Sequence, residues 1–235
     1  MATSGVSTWS LQRDAVINSS LRKLAVLSGG VAPIAYEITN AAEALNAMLK
    51  AFQADGMPLW AIKKYTFTTV VGQAQYIIGN GQALATPAPL KVLQAYRNQT
   101  NSVNVPMNVY TNYNYNILPL AISSGVPINL YYQPKSILGE INLWPMPSDA
   151  TTTITLVYQR PFEDMVASTD DFDFPSYWTE ALIYGLASRM APEYGLPLND
   201  RAAIMKEAEM YHQQALMFGV EEGSLYIQPD WSGRH

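Results

Sequence analysis

The chain has 235 residues, 49% hydrophobic and 14% charged, with 14 Lys/Arg against 19 Asp/Glu and no cysteine. That length gives room for one large domain or two small ones, and the apolar content excludes a disordered tail or a coiled coil. The lack of cysteine excludes a disulfide framework, a thiolate metal site and a cysteine nucleophile.

From about 13 to 27 the residues Ile17, Leu21 and Leu24 recur at helical spacing, and Gly29-Gly30 supplies a stop. A second helix is expected from about 35 to 54, where Ile38, Ala42, Leu45, Leu49 and Phe52 form one stripe before Asp55-Gly56. The two should make a helical hairpin. After Pro58 the composition turns to Tyr, Thr, Val and Ile, broken by Gly, Pro and Asn, which is strand chemistry. Segments 65–68 and 75–78 flank Val71-Gly72-Gln73 and read as a hairpin; further strands are expected at 90–96, 128–132, 140–144 and 152–158. Between two of them, residues 98–116 hold seven asparagines and three tyrosines. Asparagine at that density predicts a long exposed loop, with a helical turn around Tyr110.

Helix returns at Pro175, with Trp178, Ala181, Leu182, Leu186 and Met190 on its apolar face until Pro192 and Gly195. A last helix from about 200 carries Ile204, Ala208, Tyr211, Ala215 and Phe218 and stops at Gly219. The fold class that follows is α+β. A helical bundle built from residues 1–60 and 161–219 brackets an inserted β domain, 61–160, and 220–235 forms an extended C-terminal arm.

Charge divides along the same lines. Residues 1–64 carry six basic and four acidic side chains, 65–160 four and two, and 161–235 four and thirteen. The mildly basic N-terminal part should therefore pack near the acidic C-terminal part, or the acidic part should face something else. Basic residues are too scattered for tight phosphate binding. No apolar run approaches the roughly 18 residues of a membrane span, and the first residues show neither the basic start nor the apolar stretch of a secretory leader.

Motifs for catalysis are weak throughout. The two histidines, His212 and His235, have no neighbours at metal-ligand spacing, and Glu207, Glu209 and His212 read as a polar helix face. Gly79-Asn-Gly81 lacks the third glycine of a dinucleotide fingerprint and reads as a turn. Glu163, Asp164, Asp170, Asp171 and Asp173 could serve glycoside hydrolysis only as a pair placed across a cleft. They read instead as a solvated linker, its last acid near the dipole of the helix at Pro175. No catalytic, cofactor-binding or metal site is assigned.

Aromatics point elsewhere. Trp144 and Tyr158 suit a β core, while Tyr110, Tyr113 and Tyr115, with Tyr226 and Trp231 near the C-terminus, suit an interface, because tyrosine gives contact area at low entropy cost.

Several phrases in order carry a family resemblance: Ser20-Leu-Arg-Lys-Leu-Ala-Val-Leu27, Ala44-Leu-Asn-Ala-Met-Leu49, Gly125-Val-Pro-Ile-Asn-Leu-Tyr-Tyr132, Ile141-Asn-Leu-Trp-Pro-Met-Pro147 and Ala181-Leu-Ile-Tyr-Gly-Leu-Ala187, followed by Ala191-Pro-Glu-Tyr194. From about 10 to 218 the chain resembles the head-to-tail adaptors of tailed bacteriophages, most of all the packaged-DNA-stabilisation or head-completion type of short-tailed phages. The resemblance implies a non-enzymatic virion protein without cofactor, made in the host cytoplasm and residing at the head-tail junction. It would form a twelve-fold ring beneath the portal, extend the DNA channel, retain packaged DNA and offer a platform to the tail or nozzle. Its partners would be the portal, the tail, further copies of itself and duplex DNA passing without tight binding, with no membrane.

Family members often dock through a C-terminal arm, which makes Leu225, Tyr226, Ile227 and Trp231 the portal-binding candidates. Tyr110, Tyr113 and Tyr115 are the candidates for tail or inter-subunit contact. Two other readings stand beside this one, a virion-associated peptidoglycan hydrolase using the 163–173 acids, and a tail-tube or tail-completion protein without portal contact.

Overall fold

In a computed structural model the described residues are 9–27, 31–55, 59–98, 103–118 and 123–219. Two helices come first, α1 (Arg13–Lys23) and α2 (Ala35–Asp55), then a 3-10 turn (Leu59–Ala61) leads into β1 (Ile62–Thr68). There follow β2 (Gln75–Ile78), β3 (Lys91–Asn98), β4 (Asn104–Tyr110), the short α3 (Asn112–Asn116), β5 (Ser124–Gly125), β6 (Asn129–Pro134), β7 (Gly139–Trp144), β8 (Met146–Pro147) and β9 (Thr153–Gln159). A second 3-10 turn (Ser176–Trp178), α4 (Thr179–Met190) and α5 (Leu198–Phe218) complete the chain. The molecule is mixed α and β, with one large curled sheet and five helices among the described residues.

Helices from both ends bury their apolar stripes in one core, where Ile17 and Leu21 of α1 meet Leu45 and Leu49 of α2, Leu186 of α4 and Ala215 of α5. α4 touches each of the other three long helices. Its approach to α2 depends on Gly185, where an added Cβ would lie 2.8 Å from Met48 Sδ and 3.2 Å from Phe52 Cζ. Ser20 of α1 donates its hydroxyl across the core to the Ile183 carbonyl at 2.9 Å, so its buried oxygen is satisfied.

The main sheet has seven strands in the order β1-β9-β3-β4-β6-β7-β2. Every neighbouring pair is antiparallel except β4 with β6. Its inner face builds a separate core around Ile78, Leu130, Ile141, Ile154 and Leu156, to which both edge strands contribute. The sheet thus curls on itself until Phe67 of β1 meets Tyr76 of β2, ring centroids 5.1 Å apart.

Two expectations are corrected here. The segments 65–68 and 75–78 do not form a hairpin; β1 pairs with β9 (Tyr65↔Leu156) and β2 with β7 (Tyr76↔Ile141), at opposite edges of the sheet. The intervening turn is held from outside, since Gly72 N–H donates to the Pro147 carbonyl at 2.9 Å and Thr69 N–H to that of Thr152 at 2.9 Å. The segment 98–116 is not a long loop, for it contains β4, and its helical turn is α3, beyond Tyr110. Its asparagines bond one another across strands, Asn98 to Asn104 at 3.2 Å and Asn108 to Asn129 at 2.9 Å. Amides satisfied sideways do not compete with the backbone ladder. Tyr158 lies in the sheet core as expected, whereas Trp144 is partly exposed.

Candidate partner-binding surfaces

The acidic stretch before α4 is occupied with holding the fold together. Arg160, its side chain 8% exposed, receives both oxygens of Asp173, with Nη2 to Oδ1 at 2.6 Å. This corrects the expectation of a helix-dipole role for Asp173, because a nearly buried guanidinium is the stronger partner. Asp164 pairs with Lys50 of α2 at 2.6 Å. Asp170 accepts the Val166 and Ala167 N–H groups at 2.8 and 2.7 Å. Its own carbonyl takes the Arg13 N–H at 3.0 Å. Phe162 and Met165 are buried between these acids. The stretch is therefore a strap latched onto α1 and α2 rather than a solvated linker. It also brings the acidic part against the basic one, as the charge distribution suggests. Glu163 and Asp171 stay exposed.

His212 is corrected in the same way. It does not lie on a polar face but stacks on Phe52, centroids 4.2 Å apart, with the edge of Trp178 at 5.7 Å. Burial pushes its pKa below the ordinary histidine value, opposed by Asp55, whose carboxylate lies 3.9 Å from Nε2. No group of three or more metal-ligating side chains occurs among the described residues. Gly79-Asn-Gly81 is a turn, as expected, with Gly81 at φ +74°.

What the structure assembles instead is a ridge. β4 delivers Tyr110 into register with Tyr131 of β6, and α3 starts immediately afterwards, capped by Thr111, whose hydroxyl accepts the Asn114 N–H at 3.3 Å. From α3, Asn112 donates its side-chain amide to the Tyr131 hydroxyl at 2.8 Å, and Tyr115 stacks on the Tyr131 ring at 5.2 Å. Tyr113 projects outward, 74% exposed. Thus Tyr110, Tyr113 and Tyr115 do come together, organised by Tyr131, which periodicity does not single out because it sits in an ordinary strand. Leu225, Tyr226, Ile227 and Trp231 lie outside the described residues.

A second surface belongs to α5. Of its 21 residues only Ala208 and Ala215 are fully buried, while Leu198, Met205, Met210, Met217 and Phe218 are exposed. Its 3-4-3-4 sequence spacing is satisfied twice, once by the inner stripe and once by an outer one at Ala203, Lys206, Met210, Gln213 and Met217.

Side chains that would converge on a reacting atom are thus tied up in packing, and the prominent features are surfaces that meet other molecules; this is the build of a structural adaptor. The chain belongs to the SU10 adaptor protein family, whose model matches residues 13–224. No curated protein matches it. Among solved structures it is similar to a chain in the neck of an empty GTA particle computed with C6 symmetry, at 14% identity and a TM-score of 0.27, covering 83% of this chain and 87% of that one.

Proposed function

We propose that this protein is the head-to-tail adaptor of a tailed-phage virion. Twelve copies form a ring beneath the portal, extend the DNA channel, retain the packaged DNA and give the tail or nozzle its platform. The observation that carries this reading is the adaptor-family match over residues 13–224. The helices supply the body of each subunit, the curled sheet carries the Tyr ridge outward for tail or inter-subunit contact, and residues 220–235 serve as the portal-docking arm. A net charge of −5 supports passage of DNA without grip, because duplex binding needs clustered Lys and Arg that release counterions.

The test mixes the full-length chain with the portal protein of the same phage and follows assembly by native mass spectrometry and negative-stain imaging. A twelve-fold ring on the portal is expected, with monomer or weak oligomer in its absence, since a ring contact by itself can be too small to order the assembly. A chain that stays monomeric at high concentration with portal present overturns the reading. A ring built on tail components alone replaces it with the tail-completion reading.

A further inference from the structure

The surfaces left over by the fold have one feature in common. Residues 98–134 contain no Lys, Arg, Asp or Glu, although 14% of the whole chain is charged. The fold gathers the described part of this run, β4, α3 and β6, on one side of the sheet. Its exposed side chains are apolar or aromatic, with Val109 37%, Ile128 43%, Ile117 65% and Tyr113 74% exposed. The rings are also held in place beforehand through Asn112 and Tyr131. A surface ordered before contact loses less entropy on binding.

Beside the ridge the sheet splits. β4 stays with β3 as far as Ala95↔Met107 and then pairs with β6 from Asn108↔Asn129. The divergence opens a cleft of about 630 Å³ lined by Leu93, Tyr96, Asn104, Met107 and Val109. Such a cleft can take protruding apolar side chains of a partner.

The outer stripe of α5 supplies side chains of that kind. Met210 is 45% and Met217 74% exposed, on the side of the helix away from buried Ala208 and Ala215. Methionine adapts to irregular clefts and packs well on aromatic rings. Charge then selects what the stripe can meet. Glu207 and Glu209 flank it, and α4 carries exposed Glu180, so α5 brought against the C-terminal helices of another acidic copy would set like charges together. The uncharged ridge imposes no such penalty.

We propose that the outer stripe of α5 on one copy seats on the β4-α3-β6 ridge of the next, Met210 and Met217 entering beside Tyr113. Because the two faces differ, the contact is head-to-tail and propagates around a ring instead of closing as a pair. This rests on the ring proposed above and identifies its subunit contact.

The chain has no cysteine, so introduced thiols report without background. The full-length double variant Met210→Cys with Tyr113→Cys is treated with a short bismaleimide in the presence of portal, and products are read on a denaturing gel. A ladder of covalent oligomers is expected from the double variant and monomer from either single variant. Covalent dimers from Met210→Cys alone would mean that α5 meets α5 and would overturn the proposal. So would a portal-bound ring, seen by imaging of the same sample, that gives no ladder. If the wild-type chain forms no ring with portal, the adaptor reading fails and the contact with it. As a second measurement, Met210→Glu with Met217→Glu should weaken assembly at least tenfold with an unchanged melting temperature; unchanged assembly overturns the contact.

Discussion

His212 shows how a single side chain can couple packing to solution conditions. Its imidazole fills the seam between α2 and α5, stacked on Phe52, and its side chain is only 14% exposed. Nε2 has no hydrogen-bond partner among the described residues, and the facing carboxylate, Asp55, stands at 3.9 Å. Burial favours the neutral ring, so the folded pKa lies below the unfolded one. Between those two values the unfolded chain binds more protons than the folded one, and stability therefore rises with pH. The contribution is fully present above the unfolded value of about 6.5. It is lost progressively as pH falls below that value. Thermal unfolding between pH 7.5 and 5 should show a falling melting temperature in the wild type and a flatter profile in His212→Phe, which keeps the stack and removes the proton. Parallel profiles for the two proteins would exclude His212 as the source.

At the scale of elements, what was legible in the sequence was what depends on short spacing. α1, α2, α4 and α5 each repeat apolar residues at 3.6-residue period, and they appear where that period predicts them, to within a few residues at their ends. Strand positions were also legible, from β-branched and aromatic composition. Strand partners were not, because alternation fixes which face a strand buries and says nothing about which strand lies beside it. Thus Tyr65 and Tyr76 were close in sequence, yet their strands are edges of the sheet, and β1 waits for β9, whose centre at Ile154 and Leu156 is buried. The Asn-rich segment misled for a related reason. An isolated Asn favours turns, but Asn108 finds Asn129 in another strand, a pairing no local window contains.

The two cores make a further prediction about elements. Helices from both ends share one core and the strands have another. A fragment of residues 62–160 should fold by itself as a β unit, whereas residues 1–60 alone should not, since Leu45, Leu49 and Phe52 would lose α4 and become exposed. Circular dichroism with thermal melting separates these outcomes. Cooperative unfolding of monomeric 1–60 would contradict a core shared by the two ends.

Across the whole molecule the division of labour follows charge. The acidic strap and C-terminal helices lie against the basic N-terminal part through Lys50 with Asp164 and Arg13 with the Val166 carbonyl, while the β unit holds the long uncharged run. What remains is the segment after Gly219, where α5 ends. Residues 220–235 contain Leu225, Tyr226, Ile227 and Trp231 without a helical or strand period. A tail that only solubilises the chain has no need of four large apolar side chains. Segments of this composition gain order on a partner, with an aromatic anchor in a preformed pocket, and the portal is that partner in the adaptor reading. Deleting 222–235 should therefore leave solubility and melting temperature nearly unchanged and abolish portal binding in a pull-down, and Trp231→Ala should weaken binding strongly. If the arm instead packs on its own subunit, the deletion lowers the melting temperature by several degrees and the protein that remains folded still binds portal. That pair of results would assign the arm to stability and move portal recognition to another surface.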